Sequence, residues 1–384
     1  MELASYATSP EQSRGRLHPD FANIIRSPFQ RDRDRLIHSS AFRRLDGKTQ
    51  VFAYHEGKNY RTRLTHSIEV AQITRTLCKS LDLNEELGEA IALDHDLGHS
   101  PFGHAGERGL QNVMKKYGGF DHNVQALKIV TQLETHYPEF PGLNLTWETL
   151  EGTVKHNGPV TGTLNAYLKK FNKIFDLDLK NYPSLEAQIA ANADDIAYLN
   201  HDIEDGFRAG FYTLGQMQEL PFIREILNNL HKNYPAPDTN ICIYAVTRSM
   251  IAKMVFDLLD NTRANLKAHN IKTPADVRRH KGFLVCFSPK VEAEICQLRA
   301  FLKEHFYTHT NVVRMDMKSQ KIVEELFNVF MSDWKLLPDS ERRFLNAQNS
   351  EKEIADVICT YIANMTDMCA IEEHQKLFDN LTRF

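Results

Sequence analysis

Apolar residues recur every three or four positions along most of the chain, the period of a helix with one face turned inward. In YRTRLTHSIEVAQITRTLCKSL, residues 60–81, Leu64, Ile68, Ala71, Leu77 and Leu81 mark such a face. A second helix is predicted over about residues 83–98. A third, longer one covers LEAQIAANADDIAYLNHDIEDGFRAG, residues 185–210, where Leu185, Ile189, Ala193, Ile196, Ile203 and Phe207 form the buried side. Beyond residue 240 the same period returns in CIYAVTRSMIAKMVFDLL, KVEAEICQLRAFLKEHFY, SQKIVEELFNVFMSDW and EKEIADVICTYIANMTDMCAI. Alternating strand patterns are few, so the fold class is all-α. Residues 134–147, broken by Pro and Gly, read as a loop bordering a pocket, and HKNYPAPDTN at 231–240 reads as a subdomain joint. The expected division is an Arg-rich N-terminal arm leading into the core over 1–50, a core over 51–230, and a helical C-terminal subdomain packed on it over 231–384.

Composition narrows the class without naming a chemistry. A chain of 384 residues, 42% apolar and 25% charged, is that of a soluble globular protein with room for one large core or two smaller ones. Its formal charge of −4 is too small to draw nucleic acid or membrane to the whole surface. No uninterrupted apolar run approaches the ~18 residues of a membrane span. Six cysteines without a CxxC pair, and an N-terminus lacking an apolar signal core, lead us to expect a reduced, cytoplasmic protein. There is no GxxxxGK[ST] or GxGxxG phosphate loop, internal repeat or low-complexity tract.

The chemistry is concentrated at IALDHDLGHSPFGHAGE, residues 91–107, where His95, Asp96, His99, His104 and Glu107 are interrupted by Gly98, Pro101 and Gly103. Imidazole and carboxylate together suit a divalent ion such as Mn, Fe, Zn or Mg, and the lack of a nearby cysteine argues against a structural thiolate zinc site. An open, catalytic site is expected. Arg61, Arg63 and His66 lie at the start of the 60–81 helix, where free N–H groups favour an anion. Asp194, Tyr198 and Asp202, spaced i, i+4, i+8, share one stripe of the long helix, whereas Asp195 points elsewhere. His122 follows a Gly-Gly turn. Lys155 and His156 fit a phosphate contact and an ordinary surface place equally well. Residues 11–50 hold nine basic residues against five acids, which suits a solvated, internally paired arm, or phosphate or subunit contacts for a few arginines.

RLTHS, then HDLGHSPFGHAGE, then ADDIAYLNHDIEDG, in this order, resemble the HD-domain superfamily and within it the deoxyguanosine triphosphate triphosphohydrolase family, in its shorter bacterial branch. The resemblance covers roughly residues 14–210, with a weaker echo in TYIANMTDMCAIEEHQKLF. It implies an HD-domain helical core with additional C-terminal helices, and a divalent metal ion, Mn, Mg or similar, on His66, His95, Asp96 and Asp194. It implies hydrolysis of a deoxynucleoside triphosphate (dNTP) to the deoxynucleoside and intact triphosphate, dGTP being the substrate in the family's name. Arg63 would contact phosphate, with Lys155 a further candidate. His104 would act as general acid with Glu107 orienting it, and His99 and His122 would line the pocket. Gln50 and Asp202 would bond the 3′-hydroxyl, and Tyr198 would pack where a 2′-hydroxyl would go. Relatives imply a homo-oligomer, a tetramer or hexamer, with a dNTP or single-stranded DNA as effector.

Three other readings compete. Another HD phosphohydrolase would act on nucleoside monophosphates or cyclic nucleotides. A zinc peptidase is suggested by the His95-to-His99 spacing, but Asp96 replaces the glutamate base, and Gly98 and Pro101 break the helix that must present both histidines. A nucleotide- or single-stranded-DNA-sensing protein would use the basic residues of 14–48, which lack the interleaved aromatics of a stacking platform.

Overall fold

The computed structural model describes residues 2–21, 25–50 and 61–379. Among these the regular elements are helices, and the two β-bridges, Arg16 with Thr146 and Thr49 with Thr62, are isolated. The chain opens with α1 (Pro28–Ile37), α2 (Ser40–Arg44), α3 (Arg63–Ser80), α4 (Glu85–Asp94), α5 (Gly103–Met114) and α6 (His122–Lys128). It continues through α7 (Trp147–Val154), α8 (Ala166–Ile174), the long α9 (Leu185–Arg208), α10 (Leu214–Met217), α11 (Pro221–Asn233) and α12 (Thr239–Ala268). It closes with α13 (Pro274–Arg279), α14 (Pro289–Leu302), α15 (Thr310–Ser332), α16 (Asp339–Arg342), α17 (Glu351–Ala363) and α18 (Asp367–Phe378). No helix among the described residues is long and apolar enough to cross a membrane. The described cysteines are all free.

Side-chain caps start the helices that matter for the site. Thr62 accepts the Thr65 N–H at the head of α3, Asn84 the Leu87 N–H of α4, Asp121 the first N–H groups of α6, and Ser184 the Ala187 N–H of α9. α4 ends at Asp94, short of the expected 98, and the chain then turns tightly, with Leu97 N–H on Asp94 O and His99 N–H on Asp96 O. Gly98 and Pro101 are the cause.

Packing divides the chain differently from its punctuation. One apolar core runs from Ala7 to Val312 and is centred on α3, α4 and α9. It includes residues of both α11 and α12, so apolar packing continues across the Pro-rich stretch that joins them. Proline there ends a helix; it does not separate cores. A second apolar cluster joins α5 to α15, α17 and α18 through Leu110, Phe327, Phe330, Ile358, Ile362 and Ala370. The N-terminal segment is likewise no free arm. Phe29 and Leu36 are fully buried, Arg31 and Arg35 converge on Asp20, and Arg16 pairs with Asp32, whose other oxygen accepts from Thr146 and Thr149.

The C-terminal helices grip the turn between α4 and α5. Phe102 adopts left-handed backbone (φ 63°), and its N–H donates to Asp367 Oδ1 at 2.8 Å. Asp367 Oδ2 accepts from both the N–H and the hydroxyl of Thr49. Buried Lys48 donates to the carbonyls of His99 and Ala363. On the other side of the turn, Gly98 lets α6 approach so closely that a methyl group there would lie 1.9 Å from His122 O.

Two expectations follow from these contacts. Gly98→Ala must displace the start of α6, and its urea midpoint should report a loss of about 3 kcal/mol, the upper range for overpacking. Burial, reinforced by Arg44 and Arg63, pulls the Lys48 ammonium down to about 7, whereas an unfolded lysine keeps its proton to about 10.4. Between those values the unfolded chain binds the extra proton, so this residue makes stability rise with pH; below pH 7 both states are protonated and the burial penalty is complete. Urea melts at pH 7 and pH 9 should show a gain for wild type that Lys48→Met lacks.

Candidate active site

α3, α4 and α9 each contribute polar residues to one cluster. The first turn of α3 supplies Arg63 and His66, which are 2% and 1% exposed. The turn after α4 supplies His95 and Asp96, and the middle of α9 supplies Asp194. His95 Nδ1 donates to Ala92 O at 2.7 Å, which leaves Nε2 facing the cluster. Asp194 Oδ1 lies 2.8 Å from His66 Nε2 and 3.7 Å from His95 Nε2. Asp96 Oδ1 is 3.4 Å from His95 Nε2, and Asp96 Oδ2 is 3.9 Å from His66 Nε2.

These atoms fit a divalent ion. Neighbouring donors held at ~2.1 Å from one ion stand ~3 Å apart, close to the spacings seen. His95 Nε2 and Asp96 Oδ2 are buried with no hydrogen-bond partner, an expensive state for polar atoms that a metal relieves. Two imidazoles and two carboxylates suit the borderline-to-hard ions.

The charges around the cluster sustain one another. Burial acts to raise the Asp96 carboxyl, but Arg63, whose Nη1 is 2.8 Å away, together with His95 and His99 holds it well below the usual range. Asp194 is likewise held low against burial by His95, His156 and His66. Burial would lower His95, yet Asp96 and Asp194 raise it to about 9. His156 completes this side, with Nε2 3.3 Å from Asp194 Oδ2 and its ring stacked on His95.

Beside the cluster stands a second group. The His99 ring lies 4.1 Å from that of His122 and 5.6 Å from that of His104. Glu107 reaches both partners, with Oε1 2.8 Å from His122 Nδ1 and Oε2 3.5 Å from His104 Nδ1. The tighter bond goes to His122, where the sequence expectation had Glu107 serving His104. Burial and the nearby cations Arg63 and His122 keep His99 neutral, far below its ordinary pKa, while Glu107 outweighs burial to raise His122. His104 is the exposed member, its side chain 57% accessible.

His104 also lines a cavity of about 240 Å³, with Thr49, Gln50, Phe102, Tyr198 and Tyr307. Asp202 is fully buried behind Tyr198 and Tyr307 and accepts the Tyr307 hydroxyl. Burial, with Asp205 adding to it, lifts the Asp202 carboxyl to about 8. Gln50 Oε1 and Asp202 Oδ1 are buried and unpartnered.

The structure thus brings His66, His95, Asp96 and Asp194 together, with Arg63, His99, His104, Glu107 and His122 beside them, Gln50 and Tyr198 in the wall of the cavity, and Asp202 buried out of it. Lys155 stays apart: fully buried, it bonds Glu151 at 3.2 Å, in a network completed by Arg278. Asp195 turns outward to Arg299. Tyr307 is a residue that the sequence did not reveal, since it arrives from the distant π-helical turn Lys303–Tyr307 that follows α14.

The HD domain family matches residues 63–199, which contain all four candidate ligands, and the phosphohydrolase-associated domain family matches 285–376. The chain is 48% identical over 380 residues to a deoxyguanosinetriphosphate triphosphohydrolase-like protein of Caulobacter sp. (strain K31), covering 98% of this chain and 96% of that one. A protein of the same name from Bradyrhizobium sp. (strain ORS 278) is 48% identical over 377 residues, with the same coverage. One from Cereibacter sphaeroides (strain ATCC 17025 / ATH 2.4.3) is 47% identical over 375 residues, covering 98% and 99%. The chain belongs to the HD-domain deoxyguanosinetriphosphate triphosphohydrolase-like family. Membership makes it a metal-dependent phosphohydrolase with a helical fold. The family's second matched region corresponds to α14–α18, which include the end of α17 and the start of α18 that hold the turn carrying His99 and Phe102.

The ligand set makes a clear prediction. After loading with Mn and gel filtration, metal content by mass spectrometry should fall from about one ion per chain to near none in Asp194→Ala, and should stay unchanged in Asp195→Ala. Metal retained by Asp194→Ala would mean that this carboxylate is not a ligand.

Proposed function

We propose that the protein hydrolyses deoxynucleoside triphosphates to the deoxynucleoside and intact triphosphate. The observation that carries this reading is the position of His104, which belongs both to the histidine–carboxylate group beside the candidate metal centre and to the wall of the adjoining cavity. A substrate with its phosphates on the first side and its sugar on the second has its 5′ oxygen near this imidazole. A divalent ion on His66, His95, Asp96 and Asp194 would supply a bound water of lowered pKa and polarise the phosphoryl oxygens.

The remaining work falls to side chains. The water oxygen bonds to the α-phosphorus as the water gives up a proton to solvent, the bond from phosphorus to O5′ breaks, and His104, as general acid, passes a proton to O5′ and regains one from solvent, so that the deoxynucleoside leaves as an alcohol. Arg63, whose Nε is buried and unpaired, offsets charge on the phosphate oxygens. His99 and His122 flank the same oxygens, with Glu107 favouring the charged form of His122. Gln50 and Asp202 take the 3′-hydroxyl. A carboxyl with its pKa at about 8 is mostly neutral at pH 7 and can donate as well as accept. Tyr198 closes the space beside the sugar against a 2′-hydroxyl. The names of the relatives make dGTP the first substrate to try.

Ion-exchange analysis after incubation with each of the four dNTPs, GTP, and Mn or Mg should show deoxynucleoside and triphosphate from dNTPs and no product from GTP. Release of diphosphate or monophosphate nucleotides would overturn the reading. His104→Ala should keep its metal while kcat falls about 10²- to 10⁴-fold, the usual share of a general acid.

A further inference from the structure

A line of polar contacts leaves the candidate metal centre through His66. His66 presents Nε2 to the cluster and Nδ1 to the opposite side, where it meets His201 Nδ1 at 3.2 Å across the α3–α9 interface. His201 is 3% exposed, and its ring stands nearly edge-on to His66, with centroids 5.2 Å apart. The other nitrogen of His201, Nε2, bonds Glu69 Oε2. Glu69 is anchored in turn by Arg61, which also binds Glu204 at 2.7 Å and Asp205 at 3.1 Å on α9.

Proton counting fixes the direction of this line. Two imidazole nitrogens facing one another form a hydrogen bond only when one carries a proton and the other does not. His201 Nε2 faces a carboxylate, which accepts, so it holds the proton of a neutral ring and Nδ1 is bare. Read as a ligand, His66 carries no proton on Nε2, although Asp194 Oδ1 lies 2.8 Å from it, so His66 Nδ1 is the donor and the lone pair of Nε2 is directed at the cluster. We propose that His201 and Glu69 are positioning residues that lock His66 in the tautomer and ring orientation required of a metal ligand. His95 achieves the same end more simply, donating Nδ1–H to the fixed carbonyl of Ala92. The two imidazoles are therefore oriented by different devices, and only that of His66 extends to a partly exposed carboxylate, its side chain 44% accessible. Groups that orient a ligating histidine from behind contribute to metal affinity.

The inference rests on reading His66 as a ligand, and the test separates the two. Metal-stripped wild type, Glu69→Gln and His201→Phe are titrated with Mn and followed by electron paramagnetic resonance, and the stripped proteins are melted in parallel. We expect Kd to rise about 10-fold in Glu69→Gln and up to about 100-fold in His201→Phe, while stripped Glu69→Gln melts with wild type. In the cobalt-loaded protein, nuclear magnetic resonance should show slow water exchange at the His66 Nδ1–H in wild type and fast exchange in Glu69→Gln, with the His95 Nδ1–H unchanged as an internal control. Equal Mn affinity in all three proteins, or a lower melting temperature of stripped Glu69→Gln with unchanged affinity, overturns the proposal and leaves the ligand assignment standing. Failure of wild type to bind Mn overturns the ligand assignment and the proposal with it. Should His201→Phe not fold, Glu69→Gln carries the test alone.

Discussion

Charge neutrality in a buried space is the constraint on which the site depends. Asp96 is 3% exposed and Arg63 is 2% exposed, and neither ion can be stripped of water without a partner. Arg63 holds Asp96 ionised, Asp96 and Asp194 favour a proton or a metal at His95, and Asp194 is kept ionised by three histidines. Removing a member leaves its neighbours with an uncompensated charge. The geometry of α3, α4 and α9 is accordingly tied to their polar residues as much as to the apolar core around them.

A second constraint acts on the backbone. The turn after α4 must pass from Asp96 to His104 through Gly98, Pro101 and a left-handed Phe102, and little regular structure holds it. Its support comes from more than 250 residues further along the chain: Asp367 accepts from Phe102 and Thr49, and Lys48 links His99 O to Ala363 O. Thr49 neighbours Gln50, so the C-terminal helices set the cavity wall as well as the turn. The C-terminal region is thus part of the site's scaffold, which accounts for a family-level match there without any candidate ligand in it.

Much of this was legible in the residues. The crowding of His95, Asp96, His99, His104 and Glu107 between helix-breaking residues survives as two adjoining polar groups, and the i, i+4, i+8 stripe separated Asp194 from Asp195 correctly in direction. Periodicity carried the helices because each buries one face. It could not carry long-range pairing. The arginines of 11–50 looked like a surface arm because their partners, such as Asp32 with Thr146, meet only after folding. Lys155 looked free for phosphate because Arg278, with which it shares Glu151, is more than 120 residues away. His201 was within reach, two helical turns after Asp194 on α9, but an imidazole that serves another imidazole has no sequence signature.

The same helix also sets two opposite electrostatic conditions. Asp194 and Asp202 are separated by two turns of α9, yet one is driven well below its ordinary pKa and the other is lifted to about 8. Burial acts to raise both; at Asp194 the neighbouring imidazoles outweigh it, and at Asp202 burial prevails. Asp194 faces imidazoles from α3, the turn after α4 and the end of α7, whereas Asp202 faces the Tyr307 hydroxyl and shares its surroundings with Asp205. An anionic carboxylate suits a cation and a neutral carboxyl suits an alcohol. A rigid helix thereby fixes the distance between an anionic carboxylate and a neutral one; under the proposed function, that is the distance between the substrate's phosphates and its 3′-hydroxyl.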